Sequence, residues 1–452
     1  PTIKFAQSAD LMYLVHPSYA IRKLTRSGHT NWTLSTPSLS GSPSPTINNA
    51  TDKYPSSVSF FEQRLVFAGS NDNPQTMWFS KSADLENFTT GSNDTDAMVY
   101  TIASNKVNAI RYMSAQRSLI VGTVGGEFVV SASGTTQPIT PTNVQIQKQS
   151  SYGSANVDAV QIENVTMFLQ RAKRKLRELT YNLNIDQYQA TDMTLLAEHV
   201  TENGITEMAY QQEPDSILWC VRGDGTLLGF TYARAESVMG WHRHILGGVF
   251  GSGQAIVESV ASIPTDSNED EFYMIVKRTI NGATRRYVEY LTLFDYGTDQ
   301  NDGFYVDSGL TYSGSAATVI SGLDHLEGQS VTILANGATH PNKTVSSGQI
   351  TLDRSSTKVH IGLSYTSLLQ TMRVELQGEG GTSQSKDKRI HEVTLRLHET
   401  VGVEVGPNLD NMERIPFRSS AAAMDTAVPL FTGDKQIEFR DDFNTDGFVY
   451  VR

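Results

Sequence analysis

Cysteine is nearly absent from the 452-residue chain: Cys220 stands alone. One cysteine excludes an internal disulfide framework and every multi-cysteine zinc pattern. It lies inside the apolar run Ile217 to Val221, where it reads as a core residue. Long apolar stretches are missing too, since none approaches the ~20 residues that a membrane-spanning helix needs. Basic side chains are in the minority, 36 against 48 acidic ones, and the net charge of -12 excludes an extended basic surface for wrapping nucleic acid. Amphipathic helical windows are scarce. The one good example is Asp192 to Val200 (DMTLLAEHV), predicted as a helix with Leu195, Leu196 and Val200 on one side. No G-x-S-x-G elbow, P-loop, HExxH or dinucleotide-binding glycine pattern occurs, which removes the common nucleophile and phosphate-cradle readings.

What remains is a composition of 38% apolar and 19% charged residues, that of a folded chain, and a length that allows roughly three ordinary domains or one large repetitive one. The sequence opens at Pro1 without a methionine or a signal peptide and is expected to be a trimmed piece of a longer product. N-x-S/T triplets at Asn31, Asn49, Asn87, Asn93, Asn164 and Asn342 carry little weight without a secretory context.

The strongest signal is an internal period. Six apolar runs, Leu11 to His16, Leu65 to Gly69, Leu119 to Thr123, Val165 to Gln170, Ile217 to Val221 and Phe272 to Lys277, recur about every fifty residues. Each is followed by a turn and a second strand, beginning near Ile21, Thr76, Glu127, Leu176, Leu227 and Arg286. Gly125-Gly126, Asp224-Gly225 and Asn281-Gly282 supply hairpin chemistry between several of these pairs. A shorter strand precedes each run, around Phe5, Val58, Val107, Val157, Ile205 and Ile256, and a fourth strand per unit is plausible.

Because the runs are apolar at nearly every position, both faces of each must be covered. Helices are too few to do so, whereas blades stacked radially against one another cover both faces. The expected fold is all-β: a six-bladed β-propeller-like domain over residues 1–305, an inserted small β-barrel module over 306–377, and C-terminal strands over 378–452 that complete the framework. In the module, short alternating strands are expected at Val331 and Ile333, Ile350 and Leu352, and Val359 and Ile361. A polar linker follows from Gly378 to Lys388, then a half-exposed strand through Val393, Leu395 and Leu397, and a last hairpin from Ile437.

Two clusters carry chemistry of interest. His242 and His244 are one residue apart and point to the same side of a strand, which suits a metal, but no third ligand lies nearby in sequence. No metal or cofactor is expected, and the pair reads as a surface or interface feature. Arg171, Lys173, Arg174, Lys175 and Arg177 form the densest positive stretch of an acidic chain and span a hairpin turn. They are candidates for contact with phosphate or an acidic partner subunit, against the simpler reading of a solvated loop and edge strand. Asp215 and Asp224 flank a hairpin as turn residues. Glu269-Asp270 and Asp441-Asp442 lie in polar loops, and nothing places two carboxylates at a glycosidase separation.

The segments Lys4 to Pro17 (KFAQSADLMYLVHP), Gln63 to Gly69, Thr140 to Ser154, Arg174 to Leu179, Leu195 to Tyr232, Gly240 to His244 (GWHRH) and Arg285 to Leu291 resemble, as a set, the tail nozzle or tail tubular protein B family of short-tailed bacteriophages. The resemblance covers most of the chain. It implies a non-enzymatic structural virion protein, six copies forming a ring beneath the portal and tail adaptor, with tail fibres or spikes as further partners and double-stranded DNA passing through transiently. Assembly would take place in the cytoplasm of the host bacterium. Family members usually carry a region before the KFAQSAD segment and a few residues after FVYVR.

The module at Val319 to Leu363 is similar to a region of these proteins labelled an FCCH domain of ubiquitin-activating enzymes. That label implies thioester chemistry, to which a single cysteine in an apolar strand gives no support. Six copies would together carry about -72, a repulsive wall past which DNA slides. Two other classes stand beside this expectation: a carbohydrate-binding or glycan-hydrolysing tail propeller, with carboxylates and aromatic platforms converging at one end of its axis, and a scaffold propeller that docks host proteins outside any virion.

Overall fold

The structure is a computed structural model that describes residues 3–47, 52–103, 108–134, 137–265, 269–292, 299–375, 377–378, 381–420 and 426–452. It is all-β: among these residues the only helical elements are two single 3-10 turns, at Gln300–Asp302 and Asp324–Leu326.

Five consecutive four-stranded antiparallel meanders open the chain. The first is β1 (Lys4–Ser8), β2 (Leu11–His16), β3 (Tyr19–Gly28) and β4 (Asn31–Ser35), and the second β5 (Ser57–Phe61), β6 (Arg64–Ala68), β7 (Thr76–Phe79) and β8 (Met98–Thr101). The third is β9 (Ile110–Ala115), β10 (Leu119–Thr123), β11 (Gly126–Ala132) and β12 (Val144–Ser150), and the fourth β13 (Val160–Ile162), β14 (Val165–Leu169), β15 (Leu176–Asn182) and β16 (Gln187–Asp192). The fifth is β17 (Ile205–Gln211), β18 (Ile217–Arg222), β19 (Leu227–Ala233) and β20 (Val238–His244). A small ribbon, β21 (Val249–Phe250) with β22 (Gly253–Gln254), precedes a three-stranded sheet of β23 (Ile256–Ile263), β24 (Glu271–Ile280) and β25 (Ala283–Tyr290).

The fully apolar runs explain why the sheets stack. Along β6, Leu65 and Phe67 join one buried cluster with Tyr13, Val15 and Ile21 of the first sheet, while Val66 and Ala68 join another with Ile110, Leu119 and Val121 of the third. Along β10, Ile120 turns instead toward Phe168 and Leu179 of the fourth sheet. Along β14, Val165, Met167 and Leu169 pack with Leu218, Cys220 and Leu228 of the fifth. Successive residues of a strand point to opposite faces, so a run with no polar position needs an apolar neighbour on each side. Burying each such side chain contributes about 1.5–3 kcal/mol.

The first strands of the sheets are also neighbours, β1 beside β5, β5 beside β9 and β13 beside β17. Lys4 of β1 reaches across them to donate to the Arg111 carbonyl on β9 and to pair with Asp158 at 2.7 Å, just ahead of β13. Repeated meanders stacked face to face, with first strands of neighbouring sheets side by side, make a propeller-like all-β fold.

The period places every apolar run on the second strand of a sheet and every mixed segment on the third. The strand expected around Val107 lies outside the described residues, and the strand that follows begins at Ile110. Val157 is buried in the loop ahead of β13 instead of lying in it. Two of the named hairpin turns use left-handed backbone: Gly225 has φ +84°, and Asn281 with Gly282 has +49° and +72°.

The chain divides into two compact units, one of Pro1–His244 with Val257–Met274, the other of Ile245–Ile256 with Ile275–Arg452. In the second, β26 (Asp307–Ser321), β27 (Ser330–Ala335), β28 (Ala338–Thr344) and β29 (Gln349–Leu363) form an antiparallel sheet in the order β26-β29-β27-β28. It curls around a core that includes Leu323, Val331, Ile333, Ile350, Val359 and Ile361. The two short strands expected at Ile350 and Val359 are one 15-residue strand, because β26 pairs along its length with bulges that let it bend without breaking.

Short pairs follow: β30 (Leu369–Gln370), β31 (Gln377–Gly378) with β32 (Gly381–Thr382), then β33 (Glu392–Thr400), β34 (Glu404–Gly406), β35 (Glu413–Arg414), β36 (Phe431–Glu438) and β37 (Tyr450–Val451). β33 is half-exposed with strict alternation, as the sequence predicts. The hairpin expected from Ile437 does not form. β36 pairs with β33, matching Val393 to Ile437, while β37 joins β30 and β34. Pairing Val393 with Ile437 puts both on the apolar side of the ribbon, a gain that a local hairpin would forgo.

Candidate functional site: an amphipathic loop surface and two buried polar clusters

The basic cluster occupies the β14–β15 connection and the start of β15. Its backbone is fixed from several sides. The Lys173 amide donates to the Gln170 carbonyl at 2.7 Å, with Lys173 itself at φ +65°, and the Arg171 amide donates to the Gly153 carbonyl at 2.9 Å. The loop between β16 and β17 locks onto it: the Ile205 amide donates to the Lys173 carbonyl at 2.9 Å and the Thr201 hydroxyl to the Arg174 carbonyl at 2.7 Å. Loops 151–155, 170–175 and 193–204 therefore form one surface.

The five cations of this cluster do not act alike. Arg177 is 8% exposed. Its guanidinium donates to the Gln170 side chain and to the Ala190 carbonyl, both at 2.8 Å, and lies 3.5 Å over the Tyr152 ring. Both faces of the start of β15 are covered, so Arg177 is enclosed there and ties β15 to β16. Lys175 pairs with Asp192 at 2.9 Å and Glu198 at 3.2 Å, and those hydrogen bonds hold its ammonium above the usual lysine range. Arg171, Lys173 and Arg174 have no carboxylate within ion-pair distance among the described residues.

The window Asp192 to Val200 is not a helix but a series of turns. Asp192 accepts from both the Thr194 amide, at 2.9 Å, and its hydroxyl, at 2.6 Å, a local bond that competes with helix formation. As a result Leu195 and Leu196 project outward, 67% and 93% exposed, while Val200 is buried. The helical reading had placed these leucines with Val200 on one apolar side. Their role on the surface is what it missed.

His242 and His244 point to the same side of β20, as their spacing predicts, and are half-buried instead of free on the surface. His242 Nδ1 and His244 Nε2 share a hydrogen bond of 2.7 Å, and His242 Nε2 meets the Thr231 hydroxyl at 3.2 Å. Trp219 lies beneath both rings, 5.9 Å from His242 and 5.0 Å from His244, and itself stacks on Phe272 at 4.7 Å. Gly229 makes this possible, since a Cβ there would lie 2.0 Å from the His242 ring. Burial lowers both histidines; His244 falls to about 4, by burial first and then by its neighbour His242. Among the described residues no three His, Cys, Asp or Glu side chains group as metal ligands.

Sequence reasoning missed a second buried cluster. Glu127, within the buried start of β11, accepts from the Ser154 hydroxyl at 2.8 Å and from the Ser150 hydroxyl. Burial raises its carboxyl, against the pull of the two serines and of Arg177. Among the described residues, both polar atoms of the buried Asn108 amide have no hydrogen-bond partner, and the Tyr112 hydroxyl is buried as well. Gly122 and Gly125 make room for these side chains, with Cβ positions 2.1 Å from the Tyr112 ring and 2.0 Å from Asn108 Oδ1. A charge inside an otherwise apolar strand was the available signal.

The acidic residues singled out in the hairpins and polar loops, Asp215, Asp224, Asp270 and Asp441, serve their local turns and loops. Asp224 accepts from Arg222 at 2.8 Å and from the Thr226 amide at 3.1 Å; these bonds outweigh burial and hold its carboxyl well below the usual range. Asp270 accepts from the Gln212 amide at 2.9 Å, Asp441 from Asn444 at 3.0 Å, and Asp215 is exposed at a hairpin. Cys220 is fully buried in the cluster between the fourth and fifth sheets, and burial pushes its thiol up.

The fold thus defines the class as all-β and propeller-like. No family model and no curated protein matches the chain. Among solved structures, similarity is found to a protein from Lactobacillus plantarum, 13% identical with TM-score 0.37 over 64% of this chain and 87% of that one. Kluyveromyces lactis Hsv2p is 9% identical with TM-score 0.37, over 61% and 70% of the two chains. The WD40 β-propeller domain of Doa1 is 11% identical with TM-score 0.35, over 64% and 82%. Superpositions this loose carry no argument about activity or partners.

Proposed function

We propose that this chain is a structural subunit of the tail nozzle of a short-tailed bacteriophage, six copies of which form a ring on the tail axis through which the genome leaves. The observation that carries the reading is the set of segments that resemble the nozzle family, from KFAQSAD at Lys4 to RRYVEYL at Arg285. Those segments lie on the strands and turns that join the sheets. Arg177 in RKLREL, Arg222 and Asp224 in VRGDGT, and His242 and His244 in GWHRH are each engaged in local hydrogen bonds that fix one strand or turn to the next. Side chains used this way support a role exercised by surfaces. The net charge of -12 fits a conduit that repels the phosphate backbone and lets it slide. The tail adaptor and the tail fibres or spikes are the partners this role requires, in a virion assembled in the bacterial cytoplasm.

Electron microscopy of the purified full-length protein, and of the particle that contains it, tests the proposal. The expected result is a six-fold ring at the distal end of the tail axis. A monodisperse monomer that cleaves or retains a bacterial glycan would refute it in favour of the carbohydrate-directed reading.

A further inference from the structure

We propose that the surface of loops 170–175 and 193–204 is the basic half of a head-to-tail contact between copies of this chain, docking against a different, acidic face of the next copy. The inference rests on the ring reading and names one of its interfaces. Leu196, at 93%, is the most exposed large apolar side chain on the described surface, and Leu195 stands beside it in sequence. Bonds of 2.7 and 2.9 Å fasten their loop to the one that carries Arg171, Lys173 and Arg174. Among the described residues those three cations have no carboxylate partner, while Lys175 next to them pairs with Asp192 and Glu198. Tyr152, part-exposed and held flat by Arg177, extends the same surface. Tyrosine and arginine are favoured interface anchors, the two exposed leucines add apolar area, and a backbone held in place from several sides needs little ordering on binding.

Two arguments select the occupant. Duplex DNA satisfies the cations but offers two projecting leucines nothing apolar to enter, so a protein is favoured over nucleic acid. The chain itself is the acidic protein at hand: setting these three cations aside leaves -15 on the remainder of each copy. A two-fold contact centred on Arg171, Lys173 and Arg174 would set these cations against the same cations of the neighbour, which favours a contact with a different face. A patch that meets a different surface makes a heterologous contact, the kind that builds a ring when the rotation between successive copies closes, as the ring reading requires.

The experiment compares full-length wild type with Arg171→Glu/Lys173→Glu/Arg174→Glu and with Leu195→Ser/Leu196→Ser, by sedimentation velocity and native mass spectrometry at two salt concentrations. Circular dichroism checks that each variant retains the fold. Both variants are expected to be monomeric, with self-association weakened at least tenfold, and wild-type assembly is expected to weaken with salt. Mixing the charge-reversed variant with wild type separates head-to-tail from two-fold pairing. The variant keeps its acidic face, so it should cap wild-type chains and give short open oligomers. Rings that persist in both variants would overturn this interface and leave the nozzle reading standing. A wild-type chain that stays monomeric at all concentrations would overturn both. Wild-type binding to duplex DNA that disappears on charge reversal, with assembly intact, would reassign the surface to nucleic acid.

Discussion

Acid should loosen the fifth sheet through His244, and the size of the effect follows from the geometry. His244 is packed against Trp219, paired to His242 at 2.7 Å, and titrates near 4 instead of 6.5. An unfolded chain therefore binds a proton at this residue over the whole interval in which the folded chain does not. Stability falls as pH falls, beginning near 6.5 and reaching its full loss below about 4. At 1.36 kcal/mol per unit, the displacement corresponds to about 3 kcal/mol, reduced toward about 2 kcal/mol by the partial solvent access of the ring.

The measurement is urea unfolding of wild type and His244→Gln at several pH values between 4 and 7, read by tryptophan fluorescence. Comparison with the glutamine variant subtracts the carboxylates that titrate in the same range. The difference in stability between the two proteins should shrink or reverse by about 2–3 kcal/mol across that interval. NMR titration of the imidazole ring gives the proton affinity directly. A His244 ring that titrates at 6 or above, or parallel stability curves for the two proteins, would refute the reasoning.

Three other outcomes are expected. Replacing Arg177 with Met removes the donor to the Ala190 carbonyl and the ring contact with Tyr152, and should cost about 2–4 kcal/mol in chemical denaturation. Lys at that position should not restore it, since one ammonium cannot reproduce the planar fork and the stack. Gly229→Ala pushes a methyl group into the His242 ring and should destabilise the protein by about 1–3 kcal/mol; His242→Ala in the same chain should recover most of the loss in a double-mutant cycle. Cys220 should resist thiol reagents in the native state and react at the rate of unfolding, followed by mass spectrometry.

The repeat was legible because its cause is local. A strand apolar at every position announces two covered faces, and the division of Leu65 and Phe67 from Val66 and Ala68 between two clusters is that pattern realised in space. The site was only half legible. Five cations in seven residues stand out in any sequence, but which of them turn inward depends on where β15 begins, and that is set by the Gln170–Lys175 hydrogen bond. The spacing of the leucines beside them fits a helix, but the segment folds as successive turns closed by the Ala197 amide on the Thr194 carbonyl and the Val200 amide on the Ala197 carbonyl. The Glu127 cluster draws on residues from Asn108 to Ser154, and its components become neighbours only after the third sheet has folded. The C-terminal strands choose distant partners over near ones for the same reason, a gain in buried surface that no local window contains.

Sharing each apolar strand between two clusters also decides how damage spreads. Removing the first meander strips one flank from β6, whereas excising the third would bare the second and the fourth together. Each interior sheet therefore serves two neighbours at once. Insertions that lengthen exposed hairpin tips should be tolerated, while losing one whole period from the interior would uncover apolar faces on two sheets.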